Sequence, residues 1–150
     1  MDKKRILVID DDEGIRESLA RILELDGYQV DRAKTGIEAV EKSKQNFYNL
    51  ALIDIRLPDM EGTELLTAMQ DTVPKMVKLI VTGYPSANNA IDAANKGADG
   101  YLTKPIVDIE GFLQKIKEHL KKQEESKQYN EEKIAEFFET RAKQLEAKEK

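Results

Sequence analysis

The sequence has 150 residues, enough for one domain with a hydrophobic core, and 40% of them are hydrophobic. Its net charge of −5 argues against nucleic-acid binding through a basic face, and the lack of cysteine excludes disulfides and thiolate metal sites. No apolar run approaches the roughly 18 residues that a membrane-spanning helix needs, and no signal peptide follows the basic N-terminus. We therefore expect a cytoplasmic protein without direct contacts to nucleic acid or membrane.

The predicted elements alternate between strand and helix along the chain. In order, the hydrophobic pattern predicts strands over residues 5–9, 28–30, 50–53, 76–81 and 98–102, with a helix after each of them. Gly27 and Gly97 suit the left-handed ends of the first and fourth helices. The last helix is expected to bury an apolar face made of Ile109, Phe112, Leu113, Ile116 and Leu120.

This alternation predicts an α/β protein in which a five-stranded parallel sheet carries helices on both faces. The expected topology is the flavodoxin-like strand order 2-1-3-4-5, a three-layer fold with its switch point between the first and third strands. The first strand ends in Asp10 and Asp11, and the third ends in Asp54. The fold and the acidic residues thus predict one crevice at the carboxyl edge of the sheet.

The residues around that crevice indicate phosphoryl chemistry. Three carboxylates at one strand edge need a cation, and their oxygens suit Mg²⁺, with Mn²⁺ as an alternative. Thr82 and Lys104 end the fourth and fifth strands, so a hydroxyl and an ammonium group face the same edge. Phosphoryl transfer requires such charge neutralisation together with an in-line nucleophile. Asp54 is the expected nucleophile because it stands alone on the central strand.

Four short motifs, each following a different strand, make the sequence resemble the receiver domain of response regulators over about residues 3–121. They are Ile9-Asp10-Asp11, Asp54 with the loop of residues 57–62, Thr82-Gly83 and Lys104-Pro105. The resemblance implies that Asp54 accepts a phosphoryl group from a sensor histidine kinase or a histidine phosphotransfer protein. It implies a two-component signalling switch, which catalyses only its own phosphorylation and slow dephosphorylation, and a cis bond before Pro105.

The resemblance also assigns roles to neighbouring residues. It implies a metal site made of Asp10, Asp11, Asp54 and the backbone carbonyl of Arg56. The residues alone leave open which two of Asp10, Asp11 and Asp12 bind the metal, and aligning Ile15-Arg16 with the family's apolar-basic pair selects Asp10 and Asp11. Asp12 is then expected to cap the first helix.

Five further residues are expected to contact the phosphoryl group, respond to it or control its loss. By the resemblance, Thr82 and Lys104 contact it, and Tyr101 is the switch aromatic whose rotamer follows Thr82. Arg56 and Tyr84 lie two positions after the phospho-acceptor and two after the hydroxyl residue, where they flank the approach of water. Neither acts as a general base near neutral pH, so slow self-dephosphorylation is predicted.

The composition changes after the predicted receiver, which we assign to residues 1–121. Residues 122–150 are dominated by Lys, Glu and Gln and contain no Pro or Gly, so a charged helical tail or linker is expected. Its apolar stripe at helical spacing consists of Ile134, Phe137, Phe138, Ala142 and Leu145. Three alternatives stay open: a helix that packs on the receiver, a dimer or partner-binding helix, and the start of a linker to an output domain.

A response regulator receiver with an unnamed output partner is the function that the sequence favours. One alternative is the truncated receiver of a multidomain regulator, and homodimerisation is compatible with either. Another is a Mg²⁺-dependent phosphatase with an aspartyl nucleophile. Such phosphatases usually carry a second Asp two residues after the nucleophile, where this chain has Arg56, so an enzyme that turns over is disfavoured.

Overall fold

The computed structural model describes residues 3–69, 72, 74–83 and 85–149, with the backbone alone for residues 127–130, 133, 134 and 147–149. Its five strands are β1 (Arg5–Ile9), β2 (Gln29–Ala33), β3 (Leu50–Asp54), β4 (Val77–Thr82) and β5 (Gly100–Thr103). They form one fully parallel sheet in the order β2-β1-β3-β4-β5. The predicted strand order is confirmed.

A helix follows every strand. The five helices are α1 (Glu13–Leu25), α2 (Gly36–Gln45), α3 (Gly62–Ala68), α4 (Ala87–Asn95) and α5 (Ile109–Glu149). Gly27 and Gly97 have φ angles of 97° and 102°, so the predicted left-handed residues after α1 and α4 are confirmed. The carboxylate of Asp12 accepts a hydrogen bond from Ile15 N at 2.9 Å and thereby caps α1.

Alternate residues of each strand enter two separate hydrophobic clusters, which explains why the strands show continuous apolar runs. Leu50 and Leu52 belong to the cluster beneath α1 and α5, whereas Ala51 and Ile53 belong to the cluster beneath α2, α3 and α4. By the same alternation, Asp54 extends the row of Leu50 and Leu52 at the end of β3. The sheet is therefore a middle layer between two helical layers, as the flavodoxin-like fold requires.

Helix α5 runs without interruption from Ile109 to Glu149, so the C-terminal extension continues the last helix of the α/β fold. Gln123 is only 7% exposed, and its Nε2 donates hydrogen bonds to the backbone carbonyls of Asn49 and Lys75, at 2.8 Å each. Glu124 forms an ion pair with Lys4 at 2.7 Å. Contacts with the sheet's amino edge thus extend past residue 121, and the division at that residue stays a prediction.

The inward face of α5 begins later than predicted. Phe112, Ile116 and Leu120 are buried, but Ile109 is 46% exposed because it lies in the first turn, before the helix reaches the core cluster. In the tail, Phe137 and Phe138 are 66% and 64% exposed and contact each other edge to face. The side chain of Ile134 lies outside the described residues. None of the helices in the described part of the chain has the length and apolar character needed to cross a membrane.

Candidate functional site

Three carboxylates meet at the carboxyl edge of the sheet. Asp10 follows β1, Asp11 follows it, and Asp54 ends β3. Each of the three side chains offers an oxygen within 4.8 Å of the others. Asp10 and Asp54 are buried, with 2% and 9% exposure, whereas Asp11 is exposed. β1 and β3 are neighbours in the sheet, and this explains why residues 44 positions apart in the sequence share one site.

Lys104 provides the positive charge of this cluster. Its Nζ lies 2.7 Å from Asp10 Oδ2 and 3.5 Å from Asp54 Oδ2, and its side chain is only 13% exposed. The backbone N–H of Lys104 donates to the carbonyl of Thr82 at 2.8 Å, which ties the end of β5 to the end of β4. The bond between Lys104 and Pro105 is cis, as the resemblance implied. The sequence-predicted lysine is thus in direct contact with two of the three carboxylates.

One lysine does not balance the negative charge around Asp54. Burial, together with the nearby carboxylate of Asp10, raises the pKa of Asp54 from 3.8 to about 6, although Lys104 and the backbone N–H of Arg56 act in the opposite direction. That N–H lies 3.4 Å from Asp54 Oδ1. An additional cation would relieve this charge, so the acidic cluster is compatible with a divalent metal site.

A buried arginine on α1 donates a hydrogen bond to the backbone of the acidic cluster. Arg16 is 4% exposed, and its guanidinium donates to the backbone carbonyl of Asp10 at 3.0 Å. The backbone N–H of Asp12 donates to Asp10 Oδ1 at 3.0 Å. These bonds fix the backbone at the end of β1 and one carboxylate oxygen of Asp10. Arg16 entered the family alignment as the basic residue after the acidic run, and that spacing was the sequence signal for this supporting contact.

Thr82 and Tyr101 lie on the opposite face of the sheet from the two hydrophobic rows that lead to Asp10 and Asp54. Ile80 pairs with Tyr101 and Thr82 with Thr103, so Thr82 and Tyr101 are diagonal neighbours on adjacent strands. Thr82 is fully buried. The Tyr101 ring packs against the cluster beneath α2, α3 and α4, and its hydroxyl is buried without a hydrogen-bond partner among the described residues.

The loop after β3 is tightly closed. Gly62 N donates to the carbonyl of Ile55 at 2.7 Å, and Leu57 N donates to the carbonyl of Met60 at 3.1 Å. A Cβ on Gly62 would overlap the carbonyl oxygen of Asp54, so only glycine fits this approach. The loop therefore packs directly against the backbone of the central carboxylate.

The tip of the same loop contacts the start of α2. Both oxygens of Asp59 accept hydrogen bonds there, from Gly36 N at 2.9 Å and Ile37 N at 2.8 Å. These backbone donors hold the pKa of Asp59 below its usual range. Asp59 lies in the loop of residues 57–62 that carries part of the family resemblance, but its contact with α2 spans more than 20 positions of sequence, so no local pattern could have identified it.

The structure describes one of the two residues that are expected to modulate dephosphorylation. The Arg56 side chain is exposed at the edge of the site. Its backbone forms an antiparallel β-bridge with that of Glu61 across the loop. Tyr84 lies outside the described residues. The roles of Arg56 and Tyr84 in phosphate loss stay predictions.

Taken together, the fold and the site define an α/β domain of flavodoxin-like topology that has an acidic, metal-compatible cluster and a lysine at the carboxyl edge of its sheet. A family model described as the response regulator receiver domain matches residues 6–117. The chain belongs to the response regulator receiver domain family, a family of switches in two-component signalling.

Similar proteins agree with this assignment. The chain is 48% identical to a CheY-like response regulator receiver domain protein from Methanospirillum hungatei JF-1, with a TM-score of 0.78, covering 83% of this chain and 99% of that one. It is 34% identical to a response regulator protein from Burkholderia pseudomallei with a phosphorylated aspartic acid, calcium ion and citrate (TM-score 0.66, 74% and 65% covered).

A curated relative is longer than this chain. Response regulator MprA from Mycobacterium sp. (strain KMS) is 33% identical over 118 residues, which are 79% of this chain and 51% of the relative. The chain thus spans about half the length of the curated relatives that it matches.

Proposed function

We propose that this chain is a phospho-accepting switch that receives one phosphoryl group on Asp54 in a reaction that depends on a divalent metal. The observation that carries the proposal is the position of Lys104 Nζ, 2.7 Å from Asp10 and 3.5 Å from Asp54 within the group of three carboxylates. Lysine screens the charge of the Asp54 carboxylate, so an anionic phosphoryl donor can approach it. The phosphorylated aspartic acid of the Burkholderia relative also supports this proposal.

A divalent ion fits the donor set. Asp10, Asp11 and Asp54 offer hard oxygen ligands close together, and burial, together with the neighbouring Asp10 carboxylate, raises the pKa of Asp54, so a bound cation would stabilise its ionised form. We assign Mg²⁺, or Mn²⁺, to these three carboxylates and to the backbone carbonyl of Arg56. When bound, the ion would neutralise charge on the phosphoryl oxygens.

The remaining roles are proposed from the family resemblance. An Asp54 carboxylate oxygen forms a bond to phosphorus while the bond between phosphorus and the donor's leaving atom breaks. That atom is an imidazole nitrogen in a histidine kinase or phosphotransfer protein, and it takes a proton from solvent as it leaves. Lys104 donates to one transferred oxygen, and the hydroxyl of Thr82 donates to another.

A groove beside the acidic cluster suits a protein donor. It continues from Asp54 over an apolar strip between α1 and the β5–α5 loop, formed by Ile15, Leu19, Ile22, Pro105 and Ile106. A kinase or phosphotransfer domain that covers this strip would place its phosphohistidine over the carboxylates. Family membership supports such a donor.

The switch residues are Thr82 and Tyr101. A buried hydroxyl without a partner typically costs about 1–3 kcal/mol, and the Tyr101 hydroxyl has none within the part of the chain that the structure describes. Movement of Thr82 toward a phosphoryl group would change the space that the diagonal Tyr101 ring occupies. Such a change of surface is the output of a switch, and it requires no turnover of an external substrate.

Intact-mass analysis tests the proposal. The protein is incubated with acetyl phosphate and Mg²⁺, with and without a chelator. We expect the wild-type protein and Asp12→Asn to gain one phosphoryl group in Mg²⁺, whereas Asp54→Asn should gain none because it lacks the nucleophile. Asp12→Asn is a matched control, since it removes a neighbouring charge and leaves the helix cap in place. Equal phosphorylation of Asp54→Asn would contradict the assignment.

A further inference from the structure

The loop between β3 and α3 is connected to α2 by the side chain of Asp59. The first N–H groups of a helix have no partners within the helix, and in α2 they are satisfied from two sources. Thr35, the residue before α2, accepts from Glu38 N at 3.1 Å, whereas Asp59 accepts from Gly36 N and Ile37 N at 2.9 and 2.8 Å. The hydrogen bond to Thr35 is local in the sequence, whereas the two hydrogen bonds to Asp59 join α2 to a loop more than 20 positions away.

The residue next to Asp59 also packs closely against the start of α2. A Cβ on Gly36 would overlap the side chain of Met60, the residue next to Asp59, so the loop lies directly on the start of α2. By contrast, the side chain of Glu61 makes no capping hydrogen bond to α3 at the other end of the loop. Among the described residues, Asp59 is thus the side chain that anchors the loop tip to a neighbouring helix.

The anchored loop begins at the site itself. Asp54 ends β3, and Arg56 lies two residues further on, where its backbone forms an antiparallel β-bridge with Glu61. The turn between Arg56 and Glu61 is closed by the hydrogen bond from Leu57 N to the Met60 carbonyl. Because this turn is closed by a hydrogen bond and its tip is held on α2, the tip cannot move without also moving Arg56 and Glu61. The position of the Arg56 backbone, and with it the metal-facing end of β3, is consequently coupled to the Asp59 contact.

We propose that Asp59 is a positioning residue for the metal site: by holding the loop on α2, it keeps the backbone carbonyl of Arg56 and the carboxylate of Asp54 oriented toward one cation. This inference rests on the proposed function, because it takes the metal ligands from it. Asp59 touches neither the metal nor the phosphoryl group in this role. Residues that hydrogen-bond directly to metal ligands typically contribute about 10–100-fold to metal affinity. Asp59 acts through the loop and contacts no ligand directly, so a smaller effect is expected.

The test measures the rate of phosphorylation by acetyl phosphate as a function of Mg²⁺ concentration. Asp59→Ala removes both acceptors, and Asp59→Asn keeps one acceptor oxygen, so it serves as the milder variant if Asp59→Ala does not fold. Thr35→Ala is the matched control: it removes a cap from the same end of α2 without touching the loop. All proteins are compared at a temperature at which circular dichroism shows each of them folded.

We expect Asp59→Ala to raise the half-saturating Mg²⁺ concentration by about fivefold or more, and Asp59→Asn to raise it by less. The rate at saturating Mg²⁺ should stay close to that of the wild-type protein, and Thr35→Ala should change neither quantity. An unchanged half-saturating concentration in both Asp59 variants would overturn the proposal, as would an equal increase in Thr35→Ala, which would indicate a general effect of the α2 terminus. A wild-type protein that takes no phosphoryl group would instead overturn the proposed function.

Discussion

Replacing Asp54 by Asn is expected to stabilise the metal-free protein. The carboxylate has a pKa of about 6 in the folded protein, against 3.8 without the surrounding structure. Each pKa unit corresponds to about 1.4 kcal/mol, so the ionised carboxylate destabilises the folded state by roughly 3 kcal/mol at most near neutral pH. Asparagine has nearly the same shape and no charge. We therefore expect Asp54→Asn to raise the free energy of unfolding by about 1–3 kcal/mol at pH 8 in a chelator.

The sign of the pH dependence is fixed by the direction of the pKa shift. Because the folded protein holds the Asp54 proton more tightly than the unfolded chain, the stability contributed by this group is fully present below pH 3.8 and is lost as the pH rises through about 6. The advantage of Asp54→Asn should accordingly shrink to about one third when the pH is lowered from 8 to 4.5. Excess Mg²⁺ at pH 8 should also narrow the difference, because the ion stabilises the wild-type carboxylate.

Urea unfolding followed by circular dichroism gives the required free energies. Asp12→Asn is the control, since Asp12 is exposed and asparagine caps a helix as well as aspartate does. Its free energy of unfolding should stay within about 0.5 kcal/mol of the wild-type value. The reasoning would be refuted if Asp54→Asn were no more stable than the wild-type protein at pH 8, or if its advantage were the same at both pH values.

Three further outcomes are expected. Calorimetric titration should show that Asp11→Ala lowers Mg²⁺ affinity by about tenfold or more and that Asp12→Ala lowers it less; the reverse ranking would move the metal site by one residue. A chain ended after Ser126 should keep the wild-type phosphorylation rate and melting temperature. A chain ended after Lys122 also loses Gln123 and its hydrogen bonds, so its melting temperature should fall by about 4–8 °C; equal melting temperatures would contradict this account of the contact.

The strand order and the composition of the acidic cluster could be predicted because both depend on local patterns. Continuous apolar runs mark strands that are buried on both faces, and the alternation with helices leaves few topologies. Asp10 and Asp54 each stand directly after such a run, and Lys104 stands two positions after the last predicted strand. Parallel strands bring their carboxyl ends to one edge, so the sequence positions were enough to group these side chains.

Other features depend on contacts that no periodic pattern contains. Ile109 fits the apolar face of α5, but the pattern does not say where the core ends along the helix, and the residue is exposed. Arg16 carries a charge and would be expected on the outer face of α1, yet it is buried because the Asp10 carbonyl accepts its hydrogen bond. The anchoring of the loop by Asp59 likewise requires knowledge of which loop lies over which helix terminus.

Because α5 is uninterrupted, a small tilt of the helix produces a large displacement near the end of its tail. The ion pair between Glu124 and Lys4 holds the helix beside the amino edge of the sheet, and position 144 lies about 30 Å beyond Glu124 along the axis at 1.5 Å per residue. A change of only about 5° in the tilt of the helix would displace position 144 by about 3 Å. The helix residues at the contact itself would move much less. A pair of spin labels, one at Gln144 and one on the outer face of α1, would therefore record small tilts of α5 as measurable changes in distance.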